Sequence, residues 1–128
     1  MHQRILIVDD EENQRKTLSI GLKHEGFEVF SAASAPEALE VLSATSGIEV
    51  AVIDLMMPGI NGLDLARQIG RIYPGIRVVL ASAYHLSARQ FERADCGACA
   101  FIPKPYSLPD LCRALRGKLQ PICVTALE

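Results

Sequence analysis

Apolar residues arrive along this chain in short runs, at residues 5–8 (ILIV), 27–30 (FEVF), 50–53 (VAVI), 76–80 (IRVVL) and 100–102 (AFI). Each run is of strand length. Most are nearly continuous rather than alternating, as in strands buried on both faces. Helix-length segments separate them. The first helix is expected over residues 12–25, stopped by Gly26, which suits the left-handed position after a helix. The second, over 35–44, has Ser34 placed as its cap and Pro36 at its start. The third, over 62–73, is capped by Asn61 and lines up Leu65, Ala66, Ile69 and Ile72 on one stripe. A fourth over 87–94 follows Ser87 as cap, and a fifth over 108–119 carries Leu111, Leu115 and Leu119 at four-residue steps.

Five consecutive βα units predict an α/β, doubly wound architecture: a parallel sheet covered by helices on both faces. No internal repeat, linker or low-complexity tract interrupts it. At 128 residues the chain is one domain, expected over residues 1–122, with residues 123–128 read as a tail, a linker or a cloning scar.

Composition narrows the function classes. Hydrophobic residues make up 49% of the chain, enough for a sizeable core, and mean hydropathy is slightly positive, which argues against disorder. The net charge is −2 with no basic run, so a nucleic-acid surface is not expected. No apolar stretch approaches the ~20 residues of a membrane span. The N-terminal apolar run is too short for a signal peptide. A cytoplasmic protein with no membrane contact is the expectation. Cys96 and Cys99 spell C-x-x-C, but no second pair or histidine pair follows to complete a zinc site. The motif also precedes a late strand, where a thioredoxin-like site would follow an early one. These cysteines, with Cys112 and Cys123, read as small apolar fillers.

In sheets of this kind, ligands bind beyond the carboxyl ends of the strands. The residues found there are Asp9 and Asp10 after the first run, Asp54 after the third, Ser82 after the fourth and Lys104 after the fifth. Two carboxylates ~4 Å apart repel by about 4 kcal/mol at an effective dielectric of 20. Three of them bring a charge of −3, which Lys104 and one divalent cation cancel. Mg²⁺ suits carboxylate oxygens. A dinucleotide site would need G-x-G-x-x-G where this chain has DDEENQ, and the acids there repel a bare phosphate. A carboxylate can itself become an aspartyl-phosphate. That chemistry asks for a nucleophile, a metal, a hydroxyl donor and a cation, which Asp54, the Asp9/Asp10 pair, Ser82 and Lys104 supply. Glu11 and Glu12 suit the positive N-terminus of the first helix.

The stretches ILIVDDE, VIDLMMPGINGLDL, VVLASAY and ADCGACAFIPKP resemble, in order and at matching spacing, the receiver domain of two-component response regulators. The resemblance covers about residues 4 to 120. It implies a flavodoxin-like (βα)5 fold with a five-stranded sheet of order 2-1-3-4-5. It implies Asp54 as phospho-acceptor, with Mg²⁺ held by Asp9, Asp10, Asp54 and the backbone carbonyl of Met56. It makes Ser82 the hydroxyl switch, Lys104 the phosphoryl partner and Phe101 the aromatic switch, and it marks Lys104-Pro105 as a cis bond in the family. Phe101 lacks the hydroxyl of a Tyr, so a steric switch is expected.

The implied partners are a sensor histidine kinase, whose phosphohistidine donates to Asp54, and an output domain or protein that reads the face of the fourth helix, fifth strand and fifth helix. A homodimer is open. The protein would not be an enzyme beyond its own phosphorylation and dephosphorylation. The resemblance puts Met56 and Tyr84, two residues past Asp54 and Ser82, where the family tunes access of hydrolytic water; Tyr84 either covers the acyl phosphate or simply lies on the surface, and His85 reads as a surface residue. The competing reading is a metal-dependent phosphatase or phosphotransferase with an Asp nucleophile. That class wants a second Asp two residues on, where this chain has Met56.

Overall fold

A computed structural model describes residues 3–54, 62–82, 100–103, 107–116 and 122–123. The strands are β1 (Arg4–Val8), β2 (Glu28–Ala32), β3 (Ile48–Asp54), β4 (Arg77–Ser82), β5 (Ala100–Pro103) and β6 (Ile122–Cys123). The helices are α1 (Glu12–His24), α2 (Ala35–Ala44), α3 (Gly62–Ile72) and a C-terminal helix, α4 (Leu108–Arg116). The helix expected over 87–94, the Asn61 cap, and the stretch of the last helix beyond residue 116 lie outside the described residues.

All neighbouring strands pair in parallel, in the order β2-β1-β3-β4-β5-β6. This is the expected order 2-1-3-4-5 with one addition. Ile122 and Cys123 form a sixth strand against Ala100 and Phe101. Two residues after Pro121 are too few to announce a strand by periodicity. They form one here because the edge of β5 offers unpaired backbone groups.

Strand alternation divides the core between the two faces of the sheet. Leu6, Val8, Ala51 and Ile53 pack with Ala38 and Leu42 of α2 and with Leu65 and Ile69 of α3. Ile5, Ile7, Val50 and Val52 pack with Leu22 of α1 and with Leu111 and Leu115 of α4. Adjacent residues of one strand are therefore equally buried, which explains the unbroken ILIV run. Each fully buried Leu or Ile contributes about 1.5–3 kcal/mol of transfer free energy. Where α1 crosses α4, Gly21 lets the helices approach: a Cβ there would meet Leu108 Cδ2 at 3.0 Å.

Local signals set the helix ends. After α1, Phe27 N–H donates to Leu22 O (3.1 Å) and Gly26 N–H to Lys23 O (3.0 Å), the paired bonds of a Schellman motif. Gly26 sits there at φ +98°, and Leu22 and Phe27 share one apolar cluster. The Ser34 hydroxyl accepts the Glu37 N–H at 3.3 Å, and the Glu37 carboxylate accepts the Ala33 N–H at 2.9 Å, so both sides of the turn into α2 are satisfied. Ser107 caps α4 in the same way, accepting the Asp110 N–H at 3.2 Å. At the other end of α4, Gln3 and Arg77 both donate to the Leu115 carbonyl, at 3.3 and 3.1 Å. The Arg77 cation there complements the negative end of the helix dipole.

Candidate functional site

The site is a product of sheet register. Val8 pairs with Ile53, so the chain leaves β1 at Asp9 beside the place where β3 ends at Asp54. Asp54 pairs with Ala81, and Ser82 pairs with Pro103. The ends of β1, β3, β4 and β5 thus meet on one edge of the sheet, the edge at which the connections into α1 and α3 begin.

Asp9, Asp10 and Asp54 converge there. One carboxylate oxygen from each lies within 4.8 Å of the others. Their environments differ. Asp9 is 4% exposed and is the buried charged residue of the described core, Asp54 is half-buried, and Asp10 is exposed. Three negative charges at this spacing are unfavourable unless cations share the space. An all-oxygen donor set reached by water through Asp10 matches the preferences of Mg²⁺, which keeps several waters when bound. The residues present therefore fit the ion that the sequence pointed to.

The loop carrying these acids is tightly tethered. Asp9 N–H donates to Ala32 O at 3.1 Å, extending the ladder of β1 and β2 by one bond. Asp9 Oδ1 accepts the Glu11 N–H at 3.0 Å, an Asx turn that starts α1. Arg15 Nη1 donates to the Asp9 carbonyl at 2.8 Å. Beyond the loop, Glu12 pairs with Lys16 at 3.0 Å. The hydrogen bond and charge of Lys16, and more weakly the charge of Arg15, hold the Glu12 carboxyl below its ordinary value. Glu11 and Glu12 are thus part of the helix start, while Asp9 and Asp10 face the site.

Comparison with known proteins decides the family. The model of the response regulator receiver domain matches residues 5–116. The chain belongs to the response regulator receiver domain family. The chain is 32% identical over 120 residues to the response regulator MprA of Mycobacterium ulcerans, covering 94% of this chain and 51% of that protein. It is also 32% identical over 116 residues to the sensory transduction protein RegX3 of Mycolicibacterium smegmatis, covering 91% and 50%. The chain spans about half the length of these curated relatives. Among solved structures, a CheY-like receiver domain protein from Methanospirillum hungatei superimposes with a TM-score of 0.83 at 28% identity, covering 91% and 92% of the two chains. The response regulator TrrA of Thermotoga maritima, in complex with Mg²⁺ and BeF, superimposes with a TM-score of 0.78 at 30% identity, covering 89% and 96%. The flavodoxin-like fold read from the sequence is the fold of these receivers.

Within this receiver domain, the structure brings together the three acids singled out in the sequence. It places Ser82 at the end of β4 and Phe101 in β5 by their backbones. Their side chains, and Met56, Tyr84, His85, Cys96, Cys99, Lys104 and Pro105, lie outside the described residues. Sequence reading missed Arg15, whose guanidinium reaches back to the acidic loop. The signal was available as a cation six positions after Asp9, one turn into the helix that the loop starts. No helix among the described residues is long and apolar enough to cross a membrane.

Proposed function

We propose that this receiver domain is the phospho-accepting switch of a two-component system, with Asp54 as the acceptor. The observation that carries the proposal is the convergence of Asp9, Asp10 and Asp54 within 4.8 Å on the carboxyl edge of a receiver fold. The same edge is where doubly wound sheets bind their ligands.

The donor in this reading is a phosphohistidine on a sensor histidine kinase. An Asp54 carboxylate oxygen attacks phosphorus, the new O–P bond forms, and the P–N bond to histidine breaks, leaving the imidazole to take a proton. Asp9, Asp10, Asp54 and the Met56 carbonyl would hold Mg²⁺, which when bound supplies the positive charge that offsets the carboxylates and the phosphoryl oxygens. Lys104 pairs with a phosphoryl oxygen. Ser82 donates its hydroxyl hydrogen to another, and this bond draws Ser82 toward Asp54. Phe101 packs into the space released, and the face around β5 and α4 changes shape for an output domain or protein partner. A cytoplasmic setting fits a kinase-coupled switch. The phosphatase alternative is weaker, because Met56 occupies the position that such enzymes give to a second Asp.

The test is incubation of the wild-type chain with acetyl phosphate and Mg²⁺, followed by intact-mass measurement. A single phosphoryl adduct is expected in the wild type and none in Asp54→Ala. An undiminished adduct in Asp54→Ala, or none in the wild type, refutes the assignment.

A further inference from the structure

Among the described residues, hydrogen bonds fasten the acidic loop from several sides, and one comes from a charged side chain in the first turn of the following helix. Asp9 N–H bonds to Ala32 O, Asp9 Oδ1 accepts from Glu11 N–H, and Arg15 Nη1 donates to Asp9 O at 2.8 Å. The Asp9 carbonyl belongs to the peptide group that links Asp9 to Asp10. That group is planar, so holding its oxygen fixes the direction in which the chain enters Asp10. Arg15 is half-buried, which limits the competition of water for this bond.

We propose that Arg15 is a positioning residue for cation capture: by gripping the Asp9–Asp10 peptide it keeps the Asp9 and Asp10 carboxylates turned toward Asp54. The inference rests on the reading of the three carboxylates as the metal site. The physical need is evident in the charges. Without a bound cation the acids repel, and exposed Asp10 is the one with freedom to swing into solvent. A rigid peptide at its root opposes that motion before the ion arrives, so less ordering remains to be done on binding.

Position and charge predict opposite signs for the loss of Arg15. A guanidinium near a cation site repels the incoming ion, so removing it should tighten binding if charge were its only influence. Removing a positioning bond should weaken binding.

The experiment is calorimetric titration of the unphosphorylated protein with MgCl₂ for wild type, Arg15→Met and Arg15→Lys, with circular dichroism to confirm folding. Arg15→Met is expected to bind Mg²⁺ about tenfold more weakly, in the range typical for loss of groups that orient metal ligands. Arg15→Lys keeps a donor of similar reach and should recover most of the affinity. If Arg15→Met fails to fold, Arg15→Gln replaces it, with the same loss expected. Unchanged or tighter binding in the folded variant overturns the positioning role while leaving the metal site intact. Absence of Mg²⁺ binding in the wild type overturns the metal-site reading and this inference with it.

Discussion

Val8 and Ile53 are direct register partners on adjacent parallel strands, so Asp9 and Asp54, each the next residue along, emerge side by side although 45 positions separate them in the chain. One register step would undo this. Because side chains alternate along a strand, shifting β1 by a single residue against β3 would turn Asp9 toward the opposite face of the sheet. The buried Leu6/Val8 and Ile5/Ile7 sets, packed against different helices, are what forbid the shift.

The charge cluster should make the protein less stable without metal than with it. Asp10 is the exposed acid of the three, and Asp10→Asn removes one like charge without emptying buried space. In EDTA at low salt, Asp10→Asn is expected to raise unfolding stability by about 1 kcal/mol, after allowance for solvent screening. With Mg²⁺ at about 100 times its dissociation constant the wild type should gain ~2.7 kcal/mol, and the variant much less. Urea unfolding in EDTA and in MgCl₂ measures both. A variant no more stable than wild type in EDTA would show that the cluster carries little repulsion.

Both faces of the sheet should matter equally. Leu111 in α4 and Ile69 in α3 are each fully buried, on opposite sides. Leu111→Ala and Ile69→Ala are each expected to cost about 2–5 kcal/mol, from lost transfer energy plus the cavity left behind. Ile20 in α1 is 71% exposed, so Ile20→Ala should stay within about 0.5 kcal/mol. A cheap substitution on one face alone, read by chemical denaturation, would mean that face is open.

Two glycines should respond in opposite ways to the same change. Around Gly26 there is open space for a Cβ, so the cost of Gly26→Ala lies wholly in its backbone, at φ +98°. The expected loss is about 1–2 kcal/mol. Gly75 also has open space but lies outside the left-handed region, so Gly75→Ala should be neutral or stabilising by up to about 1 kcal/mol. Thermal unfolding of the pair checks this, and equal effects would contradict the role of Gly26 in closing α1.

Much of this was legible along the chain because it depends on neighbours in sequence. The Ser34 cap, the Gly26 stop and the apolar runs are short-range features, and the described elements sit within a few residues of their expected places. The candidate site acids were legible because Asp9 and Asp10 together follow one apolar run and Asp54 ends another, and doubly wound sheets collect such positions on one edge. The Ser107 cap is masked in sequence by the crowded KPYSLPD stretch, and β6 has no sequence signature because two residues show no period.

What depended on folding was the meeting of distant groups. Local patterning decides that a strand ends at Val8 and another at Asp54, since solvation and backbone preference act over a few residues. It does not decide that Asp9 becomes buried, that Asp10 stays in water, or that Arg15 turns back to grip the peptide between them. Those outcomes follow from register and packing, where side chains compete for shared space and shared hydrogen bonds. The sequence supplies the charges of the site, and the close-packed sheet and helices supply the distances that make those charges act together.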